Sequence, residues 1–423
     1  MLPMQMGFPN QMGVSIVRSA LRAFAVAVMV LVFSAPVHAA DAAFTQFIQS
    51  LWPEAERAGV ARVTFDRETR GLEPDLKLPD LILPGRPPTG APSQPEFVQT
   101  PADYIKEASI ARLATEGRRL LVQNRAALDT IEHRFGVPAT MVLAIWGRET
   151  DFGRSSDRHD ALQVVATQAY VGRRKEQYRV EFIDALKILQ LGVVARKDFR
   201  SSWAGATGLT QFLPSEYFSH GVDLDGTGRA DIWRSVPDAL ASAAKQLADK
   251  GWQPGLTWAY EVRAPDDADC TTGVPTFQRT LGDWLKVGFK PVRGSIPSRE
   301  IGQSASLLQP EGRYGPSFLV TKNYFVIKEY NFSDLYVLYV GHLSDSISTP
   351  GSFTTPWSAG SQLRTAAVEA MQRELTRLGF YREKVDGKAG MLTRAAVGAY
   401  QKSSGLKVDC WPSEAVLQSL RAK

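Results

Sequence analysis

An apolar run that ends in an acid places the strongest constraint on the fold of this chain. Val137–Trp146 reads VPATMVLAIW, and Glu149 follows three residues later. Pro138 suits the first turn of a helix, and no further proline interrupts the pattern up to Thr150. One face of that helix carries Val142, Ile145, Trp146 and Glu149. The sequence therefore predicts a buried helix that brings one carboxyl group to an apolar wall.

Two interpretations of Glu149 follow from its spacing. Burial of a carboxyl group against apolar walls raises its pKa, and a carboxylic acid that stays protonated can donate a proton to a leaving oxygen. Alternatively, Glu149 is a helix-end acid paired with Arg148 or Arg154. Asp151 stands two residues further on and is expected to face away from Glu149. Spacing alone leaves both interpretations open.

The remaining periodicity predicts a mainly α fold (α+β) with small β elements. The 423 residues suffice for two or three domains. The stretch YEVRAP is typical of a short strand, whereas Tyr336–Leu343 fits either a strand or a buried helix. The Pro-rich segment 71–97 is expected to be loose rather than packed. Helical patterns cover 43–60, 101–135, 181–194 and 235–251.

Residues 1–39 have the features of a signal peptide. Arg18 and Arg22 precede the short apolar run Ala23–Phe33, and Val37–Ala39 is a plausible cleavage site. No cysteine stands at that point, which argues against a lipoprotein. We expect export to the periplasm, and an uncleaved membrane anchor is the alternative.

Charge and cysteine content exclude several classes of function. The net charge of +5 is mild, and the chain has neither a Lys/Arg-rich tract nor a Gly-rich phosphate loop, so we expect no nucleic-acid partner. The five histidines lack the spacing of a zinc peptidase. Cys270 and Cys410 are far apart in sequence, and whether they form a disulfide stays open.

Two neighbouring stretches could bind ligands. Ser201–Phe218 combines small residues, aromatic residues and the amide of Gln211, which suits a sugar-binding loop but also fits a plain loop before a helix. The next stretch resembles the start of an EF-hand, with Gly228 at position 6, but Arg234 occupies position 12, where Glu is needed. Asp238 is the nearest later carboxylate. A structural cation loop and a simple Asp/Gly turn both remain possible.

Four motifs in this order resemble those of the membrane-bound lytic murein transglycosylase B family: AIWGRETDFGR, AGATGLTQFLPSEY, DLDGTGRADIW and YNFSDLYVLYVGHL. The resemblance covers residues 42–347 and implies a lysozyme-like helical catalytic domain with Glu149 as its catalytic acid/base. By the same resemblance, the substrate-binding residues are Ser202, Gln211, Tyr330, Asn331, Tyr336 and, more weakly, Tyr104. The family's unusual EF-hand-like loop implies a structural Ca²⁺ site formed by Asp223, Asp225, Thr227, Arg229 and Asp238. A further tyrosine of the family is absent here, since Gln246 stands near its place.

The C-terminal residues carry a second resemblance. The segment 348–361 is rich in Ser, Thr, Pro and Gly and is predicted to be a linker. Residues 362–423 resemble a small three-helix peptidoglycan-binding domain, with Cys410 where glycine is usual. This domain should bind peptidoglycan glycan strands.

Together the two resemblances imply a lytic murein transglycosylase that acts as a monomer and needs no cofactor for its chemistry. It would cleave the β-1,4 bond between N-acetylmuramic acid and N-acetylglucosamine and leave a 1,6-anhydromuramoyl end. A lysozyme-type hydrolase is the first alternative, and it would need a second carboxylate near Glu149. A non-catalytic wall-binding protein is the second.

Overall fold

The computed structural model describes residues 42–83, 85, 99–155, 157–358, 360 and 363–423. The predicted signal peptide and most of the second half of the Pro-rich segment lie outside the described residues. Within the described part of the chain, no helix is both long and apolar enough to cross a membrane.

Helices form most of the region between residues 42 and 348. Some boundaries have a local cause: Pro138 precedes the Glu149 helix, and Gly136 and Gly192 end two others in the left-handed conformation. We number the described helices along the chain: α1 Ala42–Ser50, α2 Trp52–Arg57, α3 Arg62–Thr69, α4 Pro101–Tyr104, α5 Glu107–Gln123, α6 Arg125–Phe135, α7 Ala139–Thr150, α8 Ala161–Val171, α9 Lys175–Leu191, α10 Pro214–His220, α11 Val236–Asp249, α12 Leu281–Lys286, α13 Lys322–Asn331 and α14 Asp334–Ser348.

Two apolar cores divide this helical region. One core gathers side chains from α5, α6, α7, α11, α13 and α14. The other gathers side chains from α1, α8, α9 and the loop before α10. Leu209 and Tyr330 pack against both cores, so the boundary between them runs past the 201–213 loop and the end of α13.

A small antiparallel sheet and a two-stranded ribbon interrupt the helices. The strands are β1 His159–Asp160, β2 Arg200–Ser201, β3 Ala259–Arg263, β4 Arg279–Thr280, β5 Lys290–Pro291, β6 Ser304–Leu308 and β7 Ser317–Val320. The strand order of the sheet is β4-β6-β7-β3-β5, and Tyr260 pairs with Leu319 at its centre. The ribbon of β1 and β2 pairs His159 with Ser201 and fixes the start of the 201–213 loop.

The C-terminal module comprises α15 Thr365–Arg377, α16 Met391–Ser403 and α17 Glu414–Arg421. Its own apolar core is small, and Met391 at the start of α16 instead joins the core that contains α7 and α14. Cys270 and Cys410 form a disulfide, which resolves the pairing that the sequence leaves open. The module is thus held against the helical region by packing and by a covalent bond.

Two local expectations need correction. Residues 101–135 form three helices because the chain turns at Ile105 and Asn124. Residues 71–83 are partly packed rather than loose, since Leu78 and Leu81 cover a small apolar cluster on α8. The helix α7 is buried throughout between Met141 and Gly147, as its apolar run predicts. The ambiguous stretch Tyr336–Leu343 is a buried helix within α14.

Candidate active site

Glu149 lies half-buried in the last turn of α7. The chain leaves this helix through three successive residues with positive φ, of which Asp151 (φ 50°) and Phe152 (φ 58°) are not glycine. Such backbone is costly for L-residues and persists only where tertiary contacts hold it. Phe152 packs edge-on against Trp146 with ring centroids 5.4 Å apart. A Cβ at residue 147 would lie 2.7 Å from the Phe152 ring, so glycine is required there.

Tyr336 is a hydrogen-bond donor to Glu149. Its hydroxyl lies 2.5 Å from Glu149 Oε1, and its side chain is 1% exposed. Burial, followed by the neighbouring Glu149 charge, raises the pKa of Tyr336 well above its usual value. The phenol therefore keeps its proton and donates to the carboxyl oxygen throughout the ordinary pH range.

Tyr330 supports this arrangement from the end of α13. Its ring stacks on that of Tyr336, with centroids 6.2 Å apart and planes 10° from parallel. Its hydroxyl donates to the carbonyl of Thr210 at 2.7 Å, which ties α13 to the 201–213 loop. Burial and then the Glu149 charge raise the pKa of Tyr330 well above its usual value. The next residue, Asn331, has a buried Oδ1 without a hydrogen-bond partner among the described residues.

Arg148 and Arg154, the two arginines near Glu149 in the sequence, also contact other groups. Arg148 Nη2 donates to the Tyr104 hydroxyl at 2.6 Å, and its guanidinium lies over the Tyr104 and Tyr339 rings, 4.8 Å from each centroid. Burial opposes its charge, but Tyr104 and Glu149 outweigh burial and raise the pKa of Arg148. Arg154 donates to Glu116 at 2.7 Å. Tyr104 thus belongs to the site through Arg148.

The loop 201–213, whose Leu209 packs against both cores, carries Gln211 and Ser202. Gln211 adopts a positive φ of 56°, and its Nε2 donates to Asp157 Oδ2 at 2.8 Å. Ser202 Oγ accepts from the backbone amides of Ala204 and Ala206, which tightens the turn. The position of Gln211 therefore depends on a carboxylate that comes from the segment after α7.

Asp157 is a residue of this region that the sequence analysis misses. Burial raises its pKa, while the hydrogen bond from Gln211 lowers it, and burial dominates. No motif marks it, because the contact with Gln211 joins residues 54 positions apart.

Two other polar residues named in the sequence contact partners elsewhere. Asp151 forms an ion pair with Arg112 on α5 at 3.0 Å. Gln246, near the place of the family's tyrosine, donates to Glu216 at 3.0 Å.

The acidic loop 221–235, between α10 and α11, and the first turn of α11 bring three carboxylates together. Oxygen atoms of Asp223, Asp225 and Asp238 lie within 4.8 Å of one another. Asp238 is fully buried, and its carboxylate accepts from the amides of Leu224, Asp225 and Asp231. The carbonyl of Arg229 accepts from the Thr227 hydroxyl at 3.4 Å.

Comparison with known proteins agrees with a lysozyme-like helical domain followed by a wall-binding domain. The Transglycosylase SLT domain matches residues 43–345, and the Putative peptidoglycan binding domain matches residues 364–420. This chain therefore belongs to the SLT transglycosylase family, which confirms the lysozyme-like fold class and the family resemblance.

Three relatives show how far the likeness extends. SltB3 from Pseudomonas aeruginosa, solved in complex with NAG-anhNAM-pentapeptide, is 37% identical, with 89% of this chain and 99% of that chain covered and a TM-score of 0.80. Membrane-bound lytic murein transglycosylase B of Escherichia coli K12 is 29% identical over 233 residues, which span 53% of this chain and 61% of the relative. The Escherichia coli lytic transglycosylase Slt35, solved in complex with calcium, is 25% identical, with 59% and 77% of the two chains covered and a TM-score of 0.50.

Proposed function

We propose that this protein is a peptidoglycan lytic transglycosylase whose single catalytic acid/base is Glu149. The observation that carries the proposal is the half-buried carboxyl group at the end of α7, held by the hydroxyl of Tyr336 at 2.5 Å. Family membership supports the reaction class. The anhydro sugar bound to the related SltB3 supports the product.

The proposed reaction uses one carboxyl group twice. Protonated Glu149 donates its proton to the glycosidic oxygen between N-acetylmuramic acid and N-acetylglucosamine, and the bond from C1 to that oxygen breaks. Positive charge develops at C1, assisted by the 2-acetamido group of the same sugar. The Glu149 carboxylate then removes the proton of the C6 hydroxyl, whose oxygen bonds to C1. Glu149 returns to its starting state, and no water is consumed.

Tyr336 fixes the position of the Glu149 carboxyl group at the end of α7, because its hydroxyl donates a hydrogen bond to Oε1. In the proposed reaction this contact would hold the carboxyl group in one place through both proton transfers.

The hydrolase alternative depends on a second carboxylate. The separation of the two groups would be roughly 5 Å in a retaining enzyme and about 6.5–9.5 Å in an inverting one. Asp151 forms an ion pair with Arg112. Asp157, which accepts a hydrogen bond from Gln211, is therefore the candidate for the second carboxylate. An Asp157→Asn variant distinguishes the two functions, because a hydrolase would lose its second acid while a single-acid enzyme would continue to form anhydro ends.

Mass analysis of sacculus digests tests the proposal. We expect anhydromuramoyl products from the wild type, a loss of roughly 10²–10⁴-fold in Glu149→Gln, and the same products from Asp157→Asn. Asp151→Asn is the matched control, since it removes a carboxylate two residues away that pairs with Arg112. Reducing ends in the wild-type digest, or a Glu149→Gln rate above a tenth of wild type, would contradict the proposal.

We also propose that the acidic loop binds a structural Ca²⁺. The convergence of three carboxylates provides the hard oxygen donors that Ca²⁺ prefers, and the calcium complex of Slt35 supports the assignment. Asp223, Asp225 and Asp238 would hold the ion, and Thr227 and the Arg229 carbonyl could complete the set. The ion would brace the loop before α11 and would take no part in proton transfer.

The C-terminal module supports the assignment of substrate and location. We infer that it binds peptidoglycan strands and that the chain acts as a monomer in the periplasm after export through residues 1–39. Binding to an insoluble polymer raises the local concentration of the catalytic site on its substrate. A sedimentation assay with whole sacculi measures this binding directly.

A further inference from the structure

We propose that Arg394 of the C-terminal module is a positioning residue for the active site. It acts on Glu149 through Asp334 and the first turn of α14, which carries Tyr336. The inference rests on the proposed role of Glu149, and it assigns to the module a part in the reaction beyond wall binding.

A buried cluster of charged side chains lies where the module meets the helical region. Arg394 Nη2 lies 2.7 Å from Asp334 Oδ2, and the two side chains are 9% and 7% exposed. The other oxygen of Asp334 accepts from Lys328 Nζ and from the Tyr324 hydroxyl, each at 2.6 Å. Burial alone would raise the pKa of Asp334, but Lys328 and Arg394 hold it well below its usual range. Asp334 is therefore a buried carboxylate whose charge needs both cations.

This cluster fixes the corner between α13 and α14. Tyr324 and Lys328 belong to α13, and Asp334 is the first residue of α14. Phe332, between the two helices, has a positive φ of 55°, so the corner is held by its surroundings and not by backbone preference. Ser333 caps α14 by accepting from the Tyr336 amide. The position of Asp334 consequently sets the position of the first turn of α14.

The same corner carries both tyrosines of the active site. Tyr330 is in the last turn of α13, and Tyr336 is two residues after Asp334. Their rings stack on each other, and the Tyr336 hydroxyl reaches Glu149 Oε1. This hydrogen bond weakens if its donor moves, because a hydrogen bond needs a narrow range of distance and angle. A shift of the corner would therefore weaken the contact with Glu149.

The module is held firmly enough to transmit this constraint. Met391, three residues before Arg394, is buried in the core that contains α7 and α14. Arg394 Nη1 also donates to the Ala389 carbonyl at 2.6 Å, which orients the guanidinium from within the module. The Cys270–Cys410 disulfide and the hydrogen bond from the Tyr314 hydroxyl to Asp409 hold the module at a second place.

Kinetics on a soluble substrate test the proposal. The full-length protein is assayed with a short soluble peptidoglycan oligomer, so that binding to sacculi does not limit the rate. We expect Arg394→Gln to lower kcat by about tenfold with KM within twofold, and Arg394→Lys to recover most of the loss. Arg373→Gln is the matched control, because this exposed arginine of α15 pairs with Glu369 and should leave kcat unchanged.

A double-mutant cycle separates positioning from general destabilisation. If Arg394 acts through Tyr336, Arg394→Gln should lower kcat less than twofold in a Tyr336→Phe background. Near-ultraviolet circular dichroism selects folded variants, and Arg394→Met replaces the Gln variant if the latter does not fold. If neither variant folds, Arg394→Lys is used for the same test. We then expect a partial loss of kcat in the wild-type background and no loss in the Tyr336→Phe background.

Three results would overturn the positioning role: wild-type kcat in a folded Arg394 variant, an effect confined to KM, or an equal loss of kcat with and without the Tyr336 hydroxyl. These results are independent of the reaction class, which the wild-type products and Glu149→Gln establish separately. Failure of this inference is therefore distinguishable from failure of the proposed function.

Discussion

At the scale of single residues, the surroundings of Glu149 depend on the hydrogen bonds and ion pairs that its neighbours form. Arg148 contacts Tyr104 and Tyr339 while its charge still interacts with that of Glu149, and Asp151 forms an ion pair with Arg112. Tyr336 provides a hydrogen bond to Glu149 without a formal charge. This neutral donor holds the carboxyl oxygen in place.

Replacement of Tyr336 by Phe should lower kcat by roughly 10- to 100-fold while the fold stays intact. A hydrogen bond to a charged group is worth about 1.5–3 kcal/mol, and Phe fills the same buried space apart from one oxygen. Steady-state kinetics on a soluble oligomer measures the effect. Tyr339→Phe is the control, since its hydroxyl lies one helical turn away and contacts Ser109 at 3.1 Å. Equal losses of kcat in both variants would show that the Tyr336 hydroxyl has no specific role.

At the scale of elements, the site lies where helices end and loops begin. The end of α7, the corner between α13 and α14 and the 201–213 loop each contain non-glycine residues with positive φ: Asp151, Phe152, Phe332 and Gln211. Backbone of this kind needs support from neighbouring elements. The acidic loop supplies such support next to the 201–213 loop, since the Leu209 amide donates to the carbonyl of Ile232.

Calcium should raise the melting temperature of the wild type, and chelation should lower it. A ligand that binds the folded state alone stabilises it by about 2.7 kcal/mol at a hundredfold excess over Kd. Thermal unfolding with Ca²⁺ and with a chelator checks this expectation. Asp223→Ala should abolish the difference between the two conditions, and Asp66→Ala, in an exposed ion pair on α3, should retain it. A melting temperature indifferent to calcium in the wild type would rule out the ion.

At the scale of the whole molecule, two regions that differ in sequence character share one buried charge cluster. Asp334 belongs to the helical region and Arg394 to the C-terminal module. Loss of one partner from a buried pair leaves an uncompensated charge and typically costs about 3–5 kcal/mol. Unfolding of the helical region should therefore be coupled to release of the module.

This coupling predicts the pH dependence of stability. The pKa of Asp334 is lowered by folding, so its contribution is complete above the unfolded pKa near 3.9 and is lost as pH falls towards the folded value. Asp334→Asn should be less stable than wild type at pH 7, and the difference should narrow below about pH 4.

Urea unfolding at pH 7, 5 and 3 measures this difference. Asp129→Asn, which breaks an exposed ion pair with Arg125, should change stability by less than about 1 kcal/mol at each pH. If the loss of unfolding free energy in Asp334→Asn stays constant down to pH 3, the charge of Asp334 does not hold the two regions together.

Much of the helical fold and the partly buried position of Glu149 could be predicted from the sequence, because both depend on short spans of the chain. The apolar run before Glu149 predicts a buried helix, and the motif order predicts the family to which the chain belongs. The strand–helix ambiguity at Tyr336–Leu343 had no local solution, since a continuous apolar run suits a buried element of either type.

Only the tertiary structure decides which residues that are distant in the sequence contact each other. The bond from Tyr336 to Glu149 joins residues 187 positions apart, and the Cys270–Cys410 disulfide spans 140. Periodicity within a segment reveals which residues are buried but not which buried groups meet. Arg394 and Asp334 look like ordinary surface charges in the sequence, and only the packing of the module against α13 and α14 buries them as a pair. Burial turns such charges into specific constraints, because a buried charge without its partner is too costly to keep.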